Sequence, residues 1–449
     1  AGPRLPHPAA AGRAGATLTR FTGAAGKNGR NNCRLAAPPP AGSRPGGRTW
    51  YFHLREDANF TDGSPCTVED VLHTFEVLRV SFDPFNMPGP YVFYLQSLVV
   101  VPVNRYEFKI HTLEPNGDVA DIVSEIYIRK ADASGRPVLG TGRYAVVDYE
   151  NDQFVHLRLR KDVSQAAFNE VYFEQISGCQ ERYEALKADR VDLAINLEEI
   201  TEQPDKINYR WGKVGNTMSV VAFLNGFTEP FNQLEARRAI NMAIDINRLI
   251  RDVWPGLAIP SATVVSPFHY GYPEGLAPIT YDPNAAKEIF SKIGMPSELV
   301  LRTPTFLPDR SIQVCQHLSA QLDRWGVKVR IDVVEDRFDY ARQVGARQIG
   351  HMAMFDSTPH STYRILREKV SSHHKWMWWQ GVVDEQANNL INVAHEAYQP
   401  DLRQKAYERV LTHLNQCPVW LYLYNPITVF AYKKCFQGIE MGHTGLLRI

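Results

Sequence analysis

The chain of 449 residues lacks any apolar run near the roughly 18 residues that a membrane-spanning helix needs. It also lacks an excess of charge of one sign, since 49 basic residues balance 49 acidic ones. No overall field therefore favours nucleic acid or an anionic membrane as a partner. The 44% hydrophobic content is typical of a folded protein, and the length predicts two or more lobes rather than one core.

Motifs of metal binding and catalysis are missing as well. The six cysteines are widely scattered without a CxxC pair, which weighs against zinc and leaves open either one disulfide or free buried thiols. There is no GxSxG, HExxH or P-loop motif. His351, His360, His373 and His374 share one region, but their spacing imposes no common ligand geometry. We predict no cofactor, no metal site and no catalytic residue.

Residues 1–47 differ in composition from the rest of the chain. They are rich in Ala, Gly, Pro and Arg and contain no Asp or Glu. Such a segment buries too little apolar surface to offset its ordering entropy, so we predict disorder. It has no apolar stretch typical of a secretory signal. Its composition fits either a transit peptide or sequence from a misread or truncated gene, and we favour the second interpretation.

The segment 48–79 passes through three kinds of local structure. Its sequence is RTWYFHLREDANFTDGSPCTVEDVLHTFEVLR. The alternation of apolar and polar residues over 50–55 predicts a half-buried strand, and DGSP predicts a turn. Thr67 and Asp70 have the spacing of a capping box, and the apolar residues after them recur at helical spacing.

Further strands and helices alternate along the chain. Helices followed by strands are predicted over Arg182–Leu197, where Asp189 stands at the helix exit, and over Gln313–Val333. Val220–Arg251 reads as a strand, a turn and a helix, and Asp282-Pro283 as the start of another helix. A helical pair over Leu390–Val410 precedes a final apolar strand over Pro418–Leu423. This alternation predicts an α/β fold.

Three of these segments resemble family 5 extracellular solute-binding proteins. They are the TWYFHLR…FTDGSPCTVEDV string, the VVAFLN…ARRAINMAIDINR segment and YDPNAAK at Tyr281–Lys287. The resemblance covers about 48–449, and the family's usual beginning is expected to be missing. It implies a two-lobed, periplasmic-binding-protein-like fold (type II, large cluster C) with a hinge between the lobes. Lobe I would comprise 48–217 plus 420–449, and lobe II 218–419.

The resemblance also implies a function. The family consists of the peptide-, nickel- and oligosaccharide-binding receptors of ABC importers. We expect a periplasmic monomer that captures a peptide or similar polar oligomer between its lobes and delivers it unaltered to a membrane permease. The alternatives are an oligosaccharide, an opine or a nickel complex as solute, or a truncated family member that does not bind. An enzyme built on the same fold would instead convert the solute into a different compound.

Candidate site residues cluster after the strand predicted near 352–355. In peptide-binding relatives, an aspartate in the loop that corresponds to Asp356 pairs with the ligand's α-ammonium, whereas the alternative makes Asp356 the cap of a helix over Thr362–Val370. Arg364 and Arg367 lie three apart on that helix. They either present a positive face to a carboxylate or phosphate, or pair with surface acids such as Glu368.

Aromatic and amide side chains complete the predicted site. Trp376, Trp378 and Trp379 lie in the aromatic run KWMWWQ. Exposed tryptophans are costly unless covered, so these residues either pack in a core or form a platform for a ligand. Asn225 ends a predicted strand and either bonds the backbone of a ligand or serves as a simple turn residue.

Overall fold

The computed structural model describes residues 36–37, 45–81, 89, 91–131, 137–163, 168–200, 204–305, 310–373, 379, 381–436 and 439–448. The helices are α1 (Val68–Arg79), α2 (Val92–Gln96), α3 (Val119–Ser124), α4 (Cys179–Lys187), α5 (Leu234–Ala243), α6 (Ile246–Val253), α7 (Pro283–Ile293), α8 (Ser311–Asp323), α9 (Arg337–Gly345), α10 (Thr362–Ile365), α11 (Glu385–Glu396) and α12 (Pro400–Gln416). Short 3-10 and π-helical turns occupy Pro45–Gly47 and Leu366–Val370.

The strands alternate with these helices, as the sequence predicts. They are β1 (Ala36–Ala37), β2 (Thr49–Leu54), β3 (Val99–Pro102), β4 (Glu107–His111), β5 (Lys130–Ala131), β6 (Pro137–Leu139), β7 (Tyr144–Glu150), β8 (Phe154–Leu159), β9 (Glu170–Glu174), β10 (Leu193–Ile195), β11 (Tyr209–Gly215), β12 (Ser219–Leu224), β13 (Ala258–Pro260), β14 (Glu298–Pro304), β15 (Lys328–Val334), β16 (Met352–Ser357), β17 (Trp420–Lys433), β18 (Glu440–Met441) and β19 (Leu447–Arg448).

The first sheet has the strand order β1-β2-β4-β3. In β2, every second side chain is buried, as the alternation predicts. At the start of α1, the backbone N–H of Thr67 donates to the Asp70 carboxylate at 2.8 Å, which confirms the predicted capping interaction. Most of the predicted disorder of residues 1–47 lies outside the described residues. Ala36–Ala37, however, pair with β2 instead of being disordered.

The long strand β17 joins two groups of strands. Its residues 420–424 pair with β12, and through β12 with β16, β14 and β15. Its residues 427–433 pair with β11, which ends at Gly215, and Phe430–Tyr432 also pair with β10. The chain therefore passes between the two strand groups twice, once at 216–218 and once at 425–426. The predicted lobe boundaries at 217 and 420 stay a prediction, although the observed pairing continues with the β12 group as far as residue 424.

Two large apolar clusters cover opposite faces of the β12–β16 sheet. The first contains Val221 and Phe223 of β12 and helices α9, α11 and α12. The second contains Val220, Ala222 and Leu224 of β12 and helices α5 to α8. The first cluster also includes the buried side chains of the segment 50–126. This segment thus packs against residues that the sequence assigned to lobe II.

A buried ionic network fixes the segment 50–126 on α11 and α12. The Asp118 carboxylate, 1% exposed, lies 2.7 Å from Nη2 of Arg403 and 2.7 Å from Nδ1 of His395. It also accepts a hydrogen bond from the Tyr407 hydroxyl, and Arg403 donates to Asp121 as well. Burial opposes the charge on Asp118, but Arg403 and His395 hold the pKa of this carboxyl well below its ordinary range.

Replacing Arg403 with methionine should lower the free energy of unfolding by about 3–5 kcal/mol, because it leaves the Asp118 charge buried without its main counterion. Urea denaturation of the whole chain measures this change. Arg409→Met is a matched control, since Arg409 lies on the same helix and is exposed. Equal stability losses in the two variants would show that the network contributes nothing specific.

Candidate functional site

The Asp356 carboxylate lies at the end of β16, and its side chain is only 10% exposed. The prediction that a loop carries this residue is wrong, because Asp356 pairs with Val220 inside the sheet. The predicted capping role is also wrong, since the residue at the N-cap of α10 is Ser361. An ion pair joins Asp356 to Arg337, at 3.5 Å. Among the described residues, none donates a hydrogen bond to this carboxylate.

This end of β16 lies beside both passages of the chain between the strand groups. Ser357 pairs with Ser219, the first residue of β12. The buried Asn425 amide, which lies at the other passage, donates to Ser219 Oγ at 2.8 Å and to the Met218 carbonyl oxygen. Thr217 lies 2.8 Å from Nδ1 of His360, in the loop that follows β16. Asp356 is therefore placed where the two halves of the large sheet meet.

Lys369 is a second cation, after Arg337, near Asp356 at the end of β16. Its side chain belongs to the π-helical turn Leu366–Val370, a geometry often found at functional sites. The Lys369 ammonium donates to Ser357 Oγ at 3.2 Å and lies 5.4 Å from the centre of the Phe355 ring. Burial lowers the pKa of Lys369 to about 8, although Asp356 opposes this shift.

Arg364 forms ion pairs with acidic side chains, which agrees with the second of the two interpretations given for it above. Its guanidinium lies 2.8 Å from Glu368 and 3.1 Å from Glu125, which also accepts a hydrogen bond from the Ser361 hydroxyl. The Tyr94 hydroxyl donates to Glu368 at 2.8 Å. Burial works against the charge of Arg364, but Glu368 and Glu125 raise its pKa well above the ordinary value. These acids are buried rather than at the surface, so Arg364 helps to hold the segment 50–126 in place.

The side chains of Arg367 and Asn225 also form hydrogen bonds with other residues of the protein. Nη1 of Arg367 lies 3.1 Å from the ring nitrogens of His395, which extends the Asp118 network. The Asn225 side chain donates to the Gly350 carbonyl oxygen and accepts a hydrogen bond from the N–H of Phe227. These contacts favour the turn interpretation of Asn225. A role of either residue in ligand binding stays a prediction.

Trp379 is 1% exposed and packs in the first apolar cluster. Its ring stacks on Phe223 with a centroid distance of 5.7 Å, and Phe223 stacks in turn on Phe355. This packing favours the core interpretation of Trp379 over the platform. Trp376 and Trp378 lie outside the described residues, and their predicted contribution to a ligand wall stays a prediction.

The described histidines between residues 351 and 373 contact different parts of the structure. His351 accepts a hydrogen bond from the N–H of Val300, His360 contacts Thr217, and His373 lies 2.8 Å from Glu385. His374 lies outside the described residues. Within the described ranges, no group of three or more His, Cys, Asp or Glu side chains is arranged to hold a metal ion.

Sequence reasoning missed Arg337 and Lys369 as neighbours of Asp356. Arg337 is the first residue of α9, and Lys369 lies in a turn that begins nine residues after β16. The local periodicity around each residue predicts a surface helix and carries no signal of a shared site. Only the pairing of β16 with β12 and β14, which forms across long sequence separations, brings the end of β16 against both cations.

The strand groups joined by β17, with helices packed on both faces of the β12–β16 sheet, form an α/β fold. Over the described residues, no helix is long and apolar enough to cross a membrane. The model of the family "Bacterial extracellular solute-binding proteins, family 5 Middle" matches residues 40–371, which is more than half of the chain. The chain therefore belongs to the family 5 bacterial extracellular solute-binding proteins, whose members are solute-binding receptors.

Several characterised proteins are similar to this chain over most of its length. The probable ABC transporter periplasmic-binding protein SapA of Escherichia coli K12 is 23% identical, over 89% of this chain and 80% of SapA. Di/tripeptide-binding protein 3 of Pseudomonas aeruginosa is also 23% identical, over 88% of this chain and 80% of the relative. The structure of the periplasmic binding protein DppA of Helicobacter pylori with the peptide STSA has a TM-score of 0.72 at 19% identity, covering 89% of this chain and 84% of DppA. The predicted two-lobed α/β fold is confirmed.

Replacing Trp379 with alanine should lower the free energy of unfolding by about 3–5 kcal/mol, because it removes a large buried side chain from the stack on Phe223. Trp379→Phe keeps an aromatic ring in the stack and should lower the free energy of unfolding by clearly less. Urea denaturation measures both variants. A Trp379→Ala protein that unfolds like the wild type but no longer binds solute would assign this side chain to the ligand wall.

The buried Lys369 should make stability depend on alkaline pH. Its pKa is about 8 in the folded chain and about 10.4 in an unfolded one. Between these values the folded state releases a proton that the unfolded state keeps. Relative to Lys369→Met, the wild type should therefore gain stability as pH rises from 8 to 10, by at most about 1.4 kcal/mol per pH unit.

Chemical denaturation at a series of pH values measures this gain. Lys405→Met is the matched control, because Lys405 is exposed on α12 and should give a pH-independent difference. If the stability difference between the wild type and Lys369→Met is also independent of pH, the Lys369 ammonium stays charged in the folded protein over this range.

Proposed function

We propose that this protein is the solute-binding receptor of an ABC import system and that it captures a peptide between its two lobes. The observation that carries this proposal is the Asp356 carboxylate. It is nearly buried beside the two passages at 216–218 and 425–426, and it receives no hydrogen bond from the described residues. A buried carboxylate in this state gains most from a cationic donor such as a peptide's α-ammonium.

The two passages would form the hinge of such a receptor. In the described part of the large sheet, β17 and the connection from β11 to β12 join the strand groups, and β13 pairs with β17 across the junction at 424–426. Rotation about 216–218 and 425–426 would open and close a cleft at the end of β16, where Asp356 lies. Solute that contacts both lobes favours the closed form, because only that form makes both sets of contacts.

The family supports the remaining parts of the proposal. Its members are extracellular solute-binding proteins, and the similar proteins include a di/tripeptide-binding protein and a probable ABC transporter periplasmic-binding protein. We therefore propose a periplasmic location, a membrane permease as partner and release of the solute without chemical change.

Replacing Asp356 with asparagine should weaken the binding of a peptide with a free amino terminus by more than about 1.5 kcal/mol, because it removes the charge that pairs with the ammonium. Isothermal titration calorimetry measures this loss. The same peptide with an acetylated amino terminus should bind weakly to the wild type and to Asp356→Asn alike.

Asp332→Asn is the matched control. Asp332 lies in the same sheet and pairs with Arg302 at 2.7 Å, so its replacement removes an equivalent charge pair away from the passages. Peptide affinity should be unchanged in this variant. If Asp356→Asn also keeps full affinity for the free peptide, Asp356 does not form the ammonium site and the proposal loses its main support.

A further inference from the structure

The hairpin formed by β18 and β19 packs on one of the two strand groups. Its two strands flank the turn 442–446. Met441 and Leu447 pack against an apolar cluster that contains Phe430 and Tyr432 of β17. These two β17 residues lie in the part of the strand that pairs with β10 and β11. The hairpin therefore belongs to the β11 group, by which we mean β10, β11 and the part of β17 paired with them.

The turn of this hairpin lies on the first passage between the strand groups. The carbonyl oxygen of His443 accepts a hydrogen bond of 2.9 Å from the backbone N–H of Thr217. Nδ1 of the His443 ring lies 2.8 Å from the carbonyl oxygen of Gly215, the last residue of β11. A carbonyl oxygen can only accept a hydrogen bond, so Nδ1 carries the hydrogen and the orientation of the ring is fixed.

The face of the His443 ring contacts a residue from outside the β11 group. It stacks on the ring of Phe268, with a centroid distance of 4.0 Å and an angle of 11° between the ring planes. The Phe268 ring also lies against the backbone of Gly215, where a Cβ atom would come within 2.2 Å of two ring atoms. Glycine at the end of β11 therefore leaves the space that Phe268 occupies beside the passage.

Phe268 is held by the β12 group, which comprises β12, β14 to β16 and residues 420–424 of β17, with the helices packed on them. Phe268 lies in the loop that follows β13. In this loop the Thr263 hydroxyl donates to the Leu411 carbonyl oxygen of α12 at 3.2 Å. Nε2 of His269 lies 3.0 Å from the Pro359 carbonyl oxygen, in the loop after β16. Any rotation between the two groups about the passages must therefore displace Phe268 from the His443 ring.

We propose that the hairpin β18–β19 is a latch between the two strand groups, in which the stack of His443 on Phe268 favours the arrangement of this structure. This inference rests on the proposed function, because it concerns the regulation of the motion between the lobes. One aromatic pair changes the ratio of two populations by about two- to tenfold. A solute shifts the populations from the ratio that the protein has without it. The latch therefore sets the starting point for closure.

The test measures the distance between the two strand groups in the full chain by pulsed electron paramagnetic resonance. Spin labels are attached through unnatural amino acids at Lys206, just before β11, and at Lys292 of α7, both of which are exposed. This chemistry leaves the native cysteines unlabelled. In the solute-free wild type, the main population should have the distance of this structure. His443→Ala should lower the ratio of this population to all others by at least about threefold.

His53→Ala is the matched control. The His53 side chain is similarly exposed and lies 3.3 Å from Glu107 in the first sheet, away from the passages, so its loss should leave the distances unchanged. His443→Phe keeps the stack but loses the hydrogen bond to Gly215, and should fall between the wild type and His443→Ala. Thermal unfolding establishes that the variants are folded.

A double-mutant cycle tests whether His443 acts through Phe268. Phe268→Leu removes the other ring of the stack. The double variant His443→Ala/Phe268→Leu should then change the population ratio by no more than the larger of the two single effects. If the two effects multiply instead, the side chains act independently and the latch is overturned.

A mixture of dipeptides to tetrapeptides with free termini separates this inference from the proposed function. If the peptides shift the wild-type distances but His443→Ala has the same distances as the wild type without peptide, the latch is overturned while the receptor stands. If His443→Ala changes the distances as expected and no peptide shifts them in any variant, the latch is supported and the proposed peptide receptor fails. A single unchanged distance in every variant, with and without peptides, would contradict both.

Discussion

The sharing of β17 between two strand groups is the constraint on which the large sheet depends. Residues 420–424 complete the ladder with β12, and residues 427–433 complete the ladders with β10 and β11. Between them stand Asn425 and Pro426, and proline has no N–H to donate to a ladder. The strand is continuous, but its partners change at this point. The short strand β13 pairs with residues 424–426 across this point, so the proposed motion between lobes would have to keep or distort that ladder.

The buried charges divide into two kinds with different physical roles. The Asp118–Arg403 and Glu125–Arg364 pairs are short, and tyrosine or histidine side chains supply further bonds to them. Because every charge in them has partners, these pairs fix one packing of the segment 50–126 on the helices. The pair at the end of β16 lacks such support. The protein is thus rigid where the first sheet joins the helices and incompletely bonded beside the passages between the strand groups.

Local sequence signals were enough to predict much of the secondary structure. The Asp282 side chain caps α7 by accepting a hydrogen bond from the N–H of Ala285, and Asp189 adopts the left-handed conformation expected at the exit of α4. Both features depend on residues within a few positions of each other. The final strand was predicted to end at Leu423, yet it continues to Lys433. The sequence Asn425-Pro426 resembles a strand end, and only the pairing with β11 and β10 extends the strand past it.

The candidate site was only partly predictable for the same reason. The resemblance to a family pointed to Asp356, but its predicted place in a loop was wrong because pairing with Val220 keeps it inside β16. Asp118 and Arg403 are 285 residues apart, and no periodicity connects them. The spacing of Arg364 and Arg367 predicted a common helical face. Arg364 instead contacts Glu125 of the segment 50–126, whereas Arg367 contacts His395 of α11, so their partners come from two distant parts of the chain.

An incompletely satisfied ion pair suits the solute site of the receptor proposed above. A ligand shifts a conformational equilibrium only by the difference between its free energies of binding to the two states. Had Arg337 and Asp356 formed a contact at 2.7 Å like that of Arg403 and Asp118, a solute would have to replace bonds of equal strength and would gain little. With the pair held at 3.5 Å beside the passages, the bonds that a solute would add under the proposed function are new ones, made where the two strand groups meet. Their free energy would therefore be available to favour the proposed closure.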